Sequence, residues 1–438
     1  MKQKIFFLTM LTSLMGTSLM AAPETDVQSV RNLLEEPDLS GTTQQQGRGP
    51  RDVRSVRNIL GEFNPVEHTK FQIRTGYINL NEEGSAQSSA YALGGHFHLN
   101  TKRWNGLKLG ASLYTVLNLG INQNPLSVNP DFFDANDNSF ALFSEAFIEG
   151  RWGNTEIKAG RQSLETPHAD SDDIRMMPNY FTAYTINNND IDGLTLSAGL
   201  ITQMAGWENG IDSSKFVNID EVLGTGADTD GIYYAAATYE GIENLELSLW
   251  YYNFDQISNV LYAEAAYQYA IAPKTILSMG LQYESASATG DALLGDIDSN
   301  TFGARANIKF KDLGLRVLAA YNKVTGDTGV NLSLGGGPFF TSMEDQTLDA
   351  IERPGTAWMV GTGFNFKKIG IEGLIIGLAY GHFEADDDSL HAGSEFDAVL
   401  NYALDEKLTI TAAFASIDHE IENSEDSKQF RIIANYNF

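Results

Sequence analysis

The chain has 438 residues, no cysteine and a net charge of −28. Such acidity gives no basic face for a nucleic acid, and without thiols no disulfide framework can hold small domains together. Mean hydropathy is −0.21 and no apolar run reaches the ~20 residues of a spanning helix, which excludes a helical membrane bundle and leaves one large β-barrel or two to three soluble domains.

Residues 1–21 carry Lys2 and Lys4, then an apolar run from Ile5 to Met15, then small residues up to Ala21 and Ala22. This is the pattern of a cleaved secretory signal peptide. Residues 22–64 change character. Asp26-Val27-Gln28-Ser29-Val30-Arg31-Asn32-Leu33-Leu34 is nearly repeated as Asp52-Val53-Arg54-Ser55-Val56-Arg57-Asn58-Ile59-Leu60. Apolar residues recur there at helical spacing behind an aspartate N-cap. The expectation is a periplasmic segment with two short helices, too short to bury much alone.

From residue 65 to Phe438 the period drops to two. Eighteen strand-like stretches begin near Lys70, Ser89, Leu107, Phe140, Thr155, Tyr180, Gly193, Gly231, Leu245, Val260, Thr275, Thr301, Gly314, Thr356, Leu374, Ser394, Leu408 and Lys428. Successive side chains of a strand point to opposite faces. Thus Phe302, Ala304, Ala306 and Ile308 share one face, and Thr301, Arg305, Asn307 and Lys309 the other. Short turns alternate with long segments along the chain. Long loops on one rim and short turns on the other mark a transmembrane antiparallel up-and-down barrel of about eighteen strands, with short periplasmic turns and long extracellular loops. Acidic residues gather in the long loops, for example Asp386-Asp387-Asp388, with no spacing that assigns a metal site.

The last stretch, Gln429 to Phe438, places Phe430, Ile432, Ala434, Tyr436 and Phe438 on one face and Gln429, Arg431, Asn435 and Asn437 on the other. A bare apolar edge invites pairing with another chain. Closure against the first strand removes that edge, and lipid accepts the greasy face. A terminal strand ending in Phe438 also suits recognition by a barrel-assembly machinery.

A barrel of this size encloses water, so function lies in whatever narrows it. The third long loop is the best candidate. Pro167 and Pro178 interrupt the strand pattern, and Arg161 and Arg175 flank Glu165, Asp170, Asp172 and Asp173. Folded inward, such a loop sets cations against carboxylates. Face alternation adds Arg151, Lys158, Arg305, Lys309, Arg316 and Arg74 as inward cations.

Gly160-Arg161-Gln162-Ser163-Leu164, then Thr166-Pro167, then Asp173-Ile174-Arg175-Met176-Met177-Pro178 and Phe181 resemble the strand-to-loop signature of OprD-type porins, as do Gly335-Gly336-Gly337-Pro338-Phe339-Phe340 and Trp358. The resemblance implies an outer-membrane channel for small hydrophilic solutes such as ions, small carboxylates and amino acids, with arginines and lysines guiding them past the third loop. It implies no cofactor. Strand alternation puts Arg161 on the face of Ile157 and Ala159, so either a bulge lies near Gly160 or only one of Arg161 and Lys158 faces inward. Catalysis is not expected: no histidine sits in a nucleophile motif. The competing reading is a structural or adhesin-type barrel with acidic surface loops. Monomer and homotrimer both fit such a channel.

Overall fold

The computed structural model describes residues 66–121, 128–387, 389–421 and 424–438. The expected signal peptide and helical near-repeat lie outside these residues. Among the described residues eighteen long strands form one antiparallel sheet, to which the two-residue strand Val217–Asn218 adds beside Gln203 and Met204: β1 Val66–Glu82, β2 Ser88–Thr101, β3 Leu107–Asn118, β4 Phe140–Trp152, β5 Thr155–Gln162, β6 Tyr180–Ile191, β7 Leu194–Ala205, β8 Ile232–Ile242, β9 Leu245–Phe254, β10 Ser258–Ala272, β11 Thr275–Ala288, β12 Asp298–Phe310, β13 Leu315–Gly326, β14 Gly355–Asn365, β15 Leu374–Ala385, β16 Ala392–Ala403, β17 Leu408–His419 and β18 Ser427–Asn437. Each pairs with its sequence neighbours, and β1 pairs with β18 from Gln72↔Asn437 to Glu82↔Ser427. The sheet is therefore a closed barrel. Phe438 N–H continues the seam by donating to Phe71 O at 3.0 Å. Among the described residues the barrel leaves no open strand edge for another chain to pair with.

The two faces differ in chemistry as the alternation requires. On β18, Gln429, Arg431, Ile433 and Asn435 are buried, while Phe430, Tyr436 and Phe438 are exposed. On β12, Thr301 is buried and Phe302 exposed; on β11, Leu281 is 64% exposed beside buried Gln282. The exposed side chains form an apolar outer belt that only lipid can cover, at roughly 1.5–3 kcal/mol for each large side chain removed from water. Aromatic residues rim it. Trp104, Trp152, Phe438 and Phe71 lie toward the short-turn end. Toward the other end the hydroxyls of Tyr251 and Tyr283 donate to Asn259 and Asn300, each at 2.8 Å. Such residues keep a polar tip at the membrane interface.

The short turns use their chemistry locally. The Asp405 carboxylate accepts from the backbone N–H groups of Lys407 and Leu408, at 2.8 Å each, before β17. Long loops return at the opposite rim. Those after β3, β5 and β13, here the second, third and seventh outer loops, do not stay on the surface.

Candidate functional site

Three outer loops bury apolar side chains against the inner wall. In the second loop the short 3-10 turn Pro130–Phe132 starts where the Asn129 side chain accepts from Asp131 N–H at 3.0 Å. Its Phe132 and Phe133 pack with Ile78, Ala90, Ala92 and Val116 of the wall and with Met176 of the third loop. In the third loop Leu164 and Ala169 pack with Phe181, Ile201, Tyr252 and Tyr262. In the seventh, Phe339, Phe340, Met343, Leu348 and Ile351 pack with Leu318, Val324, Met359 and Phe383. Apolar burial holds each loop inside the ring.

The third and seventh loops are joined to each other. Glu165–Thr166 and Ala169–Asp170 form a small hairpin turning at Pro167 and His168. Alongside it, Asp170 N–H donates to Leu334 O at 2.8 Å and Leu334 N–H to His168 O at 3.0 Å. The His168 ring, fully buried, shares hydrogen bonds with Ser333 Oγ at 2.9 Å and Glu284 Oε2 at 2.8 Å, so one side chain ties the third loop to the seventh and to β11. Tyr252 meets that ring edge-on at 5.1 Å. Gly335 follows at φ +114°, and a Cβ there would stand 2.7 Å from Asp170 O. Only glycine allows this approach.

Charge is concentrated where the three loops meet β1, β16 and β18. Arg74, from β1, binds Asp173 of the third loop with both nitrogens of its fork, Nη2 to Oδ2 at 2.6 Å, and also donates to Asn435 Oδ1 at 2.7 Å and Arg175 O at 3.1 Å. Arg175 turns away from the acids of its own loop. Its Nε and Nη2 reach Asp131 Oδ2 of the second loop at 3.1 and 3.0 Å, and its guanidinium stacks on Trp207 at 3.9 Å. Arg431, from β18, meets Glu344 of the seventh loop at 3.0 Å. The planar, two-pronged contact of Arg74 with Asp173 is the strong form of ion pair, and in a buried setting each of these charges needs its partner.

The structure thus brings Arg74, Asp173 and Arg175 together, with Asp170 and Asp172 buried just before them. Burial pushes the Asp170 carboxyl up to about 6. Glu165 is exposed at the hairpin's outer strand. Lys158 lies on the inward face opposite Glu149, its Nζ 4.0 Å from the Phe147 ring centre. Arg305 faces Glu264 at 3.5 Å and the Phe340 ring at 4.8 Å. Lys309 and Arg316 are cross-strand neighbours on the inward face, and Arg151 pairs with Glu156 near the short-turn end. Arg161 does not join this set. The register runs unbroken through Gly160, so Arg161 stands opposite Ala146 and Thr182, on the face of Ile157. Its guanidinium rests on Phe216 at 4.4 Å and donates to Phe143 O, outside the inward row. Of the two alternatives the sequence left open, Lys158 is the inward cation, and the expectation for Arg161 is corrected.

Sequence reasoning missed the seventh loop as part of the site, along with Asp131, Arg431, Glu395 and Asp397. The signal was present: an outer loop holding Phe339, Phe340, Met343, Leu348 and Ile351 has apolar surface to hide. Its tip is pinned by backbone donors, with Glu344 N–H to Asp397 Oδ2 at 2.9 Å and Asp345 and Gln346 N–H to the two oxygens of Glu395 at 2.8 and 2.7 Å.

A family model described as outer membrane porin, OprD family, matches residues 127–438. The porin-like protein GalP of Pseudomonas putida is 26% identical over 236 residues, which span 53% of this chain and 55% of that protein, so the match runs along about half of that relative. Among solved structures, OccK9 (OpdG) of Pseudomonas aeruginosa superposes with a TM-score of 0.74 at 19% identity, covering 86% of this chain and 98% of that one. A BenF-like porin from Pseudomonas fluorescens gives 0.72 at 17% identity over 84% and 98%, and Pseudomonas aeruginosa OpdK, solved with vanillate, gives 0.71 at 19% over 86% and 100%. At such identities the likeness speaks for the fold alone. The family match covers well over half of the sequence, from the second outer loop to the terminal phenylalanine, and on that ground the chain belongs to the OprD family of outer-membrane porins.

Proposed function

We propose that this protein is a passive outer-membrane diffusion channel for small hydrophilic solutes, with a weak preference for cations. Membership of a channel-forming family supports transport over catalysis. The observation that carries the charge preference is the pairing of inward arginines with carboxylates: Arg74 with Asp173, Arg175 with Asp131, Arg431 with Glu344 and Arg305 with Glu264. Each pair is close to neutral seen from a passing solute. With the pairs neutral, the acidic outer loops, in a chain of net charge −28, concentrate cations at the mouth. A ladder guiding carboxylates, which the family resemblance implied, is not favoured by this balance.

On this reading, Arg175, Arg74, Lys158, Arg305, Lys309, Arg316 and Arg151 border the path, with Asp170, Asp172 and Asp173 on the third loop and Glu165 at its rim. Arg175 is the most informative of them. Replacing it with Glu removes a cation and adds an acid beside Asp131. The expected result is a reversal potential, in a salt gradient across a planar bilayer, displaced toward the cation limit in Arg175→Glu. An unchanged reversal potential would take Arg175 off the permeation path.

A further inference from the structure

Arg161 belongs to the third-loop signature but turns its side chain away from the interior. β5 leaves the wall at Gln162 to become the third loop, and β4 pairs with it only from Ala146 to Trp152. Arg161 stands at the head of the gap this opens. Its Nη1 donates to Phe143 O of β4 at 3.2 Å, and its guanidinium lies 4.4 Å over the Phe216 ring of the fourth outer loop, the one that follows β7. A guanidinium carries five N–H donors, and among the described residues this one meets no other acceptor. Arg74, Arg175, Arg305 and Arg431 all face carboxylates, whereas Arg161 does not. Asp212 of the fourth loop is already taken by Lys215 at 2.6 Å.

The surroundings of Arg161 open sideways, toward the membrane. It pairs with Thr182, and Thr182 with Gln203. Thr182 Oγ1 donates to Gln203 Oε1 at 3.1 Å and Gln203 Nε2 to Asn218 Oδ1 at 3.0 Å. Exposed Asn218 ends this row, its Nδ2 without an acceptor among the described residues. One outward rung nearer the barrel's middle, Ala159 pairs with Tyr184, Tyr184 with Leu200 and Leu200 with Tyr233. Both tyrosines are exposed on the outer belt. Such tyrosines mark the level where hydrocarbon gives way to headgroups. A cation against hydrocarbon is costly and the cost falls toward the interface, so Arg161 and the amides beside it belong to the headgroup layer.

We propose that Arg161, with the Thr182–Gln203–Asn218 row, binds the phosphate of an outer-leaflet lipid headgroup. The first arginine of the loop signature then anchors the barrel in its membrane instead of serving the path, whether or not the ring conducts. A fixed guanidinium fork fits two oxygens of one phosphate and keeps its charge at every relevant pH. The phosphate is borne by a lipid because the site lies on the outer wall, above Tyr184 and beside exposed Phe143, where acyl chains run.

Native mass spectrometry of the purified full-length protein in detergent, titrated with diphosphorylated lipid A and with the same lipid stripped of its phosphates, tests this. Wild type should prefer the phosphorylated lipid by about 10-fold or more. Arg161→Gln should lose that preference, and Arg161→Lys, which keeps the charge but not the fork, should retain part of it. In wild type the preference should shrink as salt rises from about 0.05 M to about 0.5 M, a reading that needs no variant to fold. Equal affinity for the two lipids in wild type, or a preference indifferent to salt, would overturn the proposal. So would a preference left intact in Arg161→Gln, or one no larger in Arg161→Lys than in Arg161→Gln. Inorganic phosphate that displaces the phosphorylated lipid at equal concentration would put a free anion at the site and overturn the lipid assignment.

Discussion

At the scale of single residues, the interior depends on a few positions that permit one arrangement. Gly335 lets the seventh loop lie against the third, 2.7 Å from where a Cβ would strike Asp170 O. Gly335→Ala adds that clash to a left-handed backbone, so it should cost about 1–3 kcal/mol at the loop junction. The measurement is the unfolding temperature in detergent, which should fall with strand content unchanged before the transition. An unaltered temperature would mean that the two loops are not joined there. Alternation alone placed Lys158 and Arg305 inward. It could not supply their partners, because an ion pair such as Arg74 with Asp173 joins residues far apart in sequence.

At the scale of elements, each strand is a two-sided object whose outer side is legible as lipid-facing. Leu281 sits near the middle of β11 with 64% of its surface exposed. Leu281→Arg should cost about 2–4 kcal/mol, the cost of a cation facing hydrocarbon near the midplane, read as a lower denaturant midpoint for folding into lipid vesicles. A midpoint equal to wild type would mean that this side faces water. The strands themselves could be read from sequence, down to starts at Leu107, Phe140, Thr155, Tyr180, Leu245, Thr275, Leu374 and Leu408, because a two-residue period is a local signal. The inward course of the loops could not. The third loop was recognised through its prolines and clustered charge, but the partner of Arg175 proved to be Asp131 on the second loop. The seventh was read as another long outer segment, since its packing against β13–β15 is set by tertiary contacts that no period encodes.

At the scale of the whole molecule, eighteen strands close on themselves through β1 and β18 and put an apolar belt outside and ionisable groups within. Those ionisable groups are mostly acids matched to arginines, with acids in surplus, in a chain whose net charge is −28. The central claim is that the ring encloses a path through which solutes cross a membrane. Single-channel recording of the purified protein in planar bilayers tests it most directly. Discrete, reproducible conductance steps are expected. A bilayer that stays silent after the barrel has demonstrably inserted would contradict it.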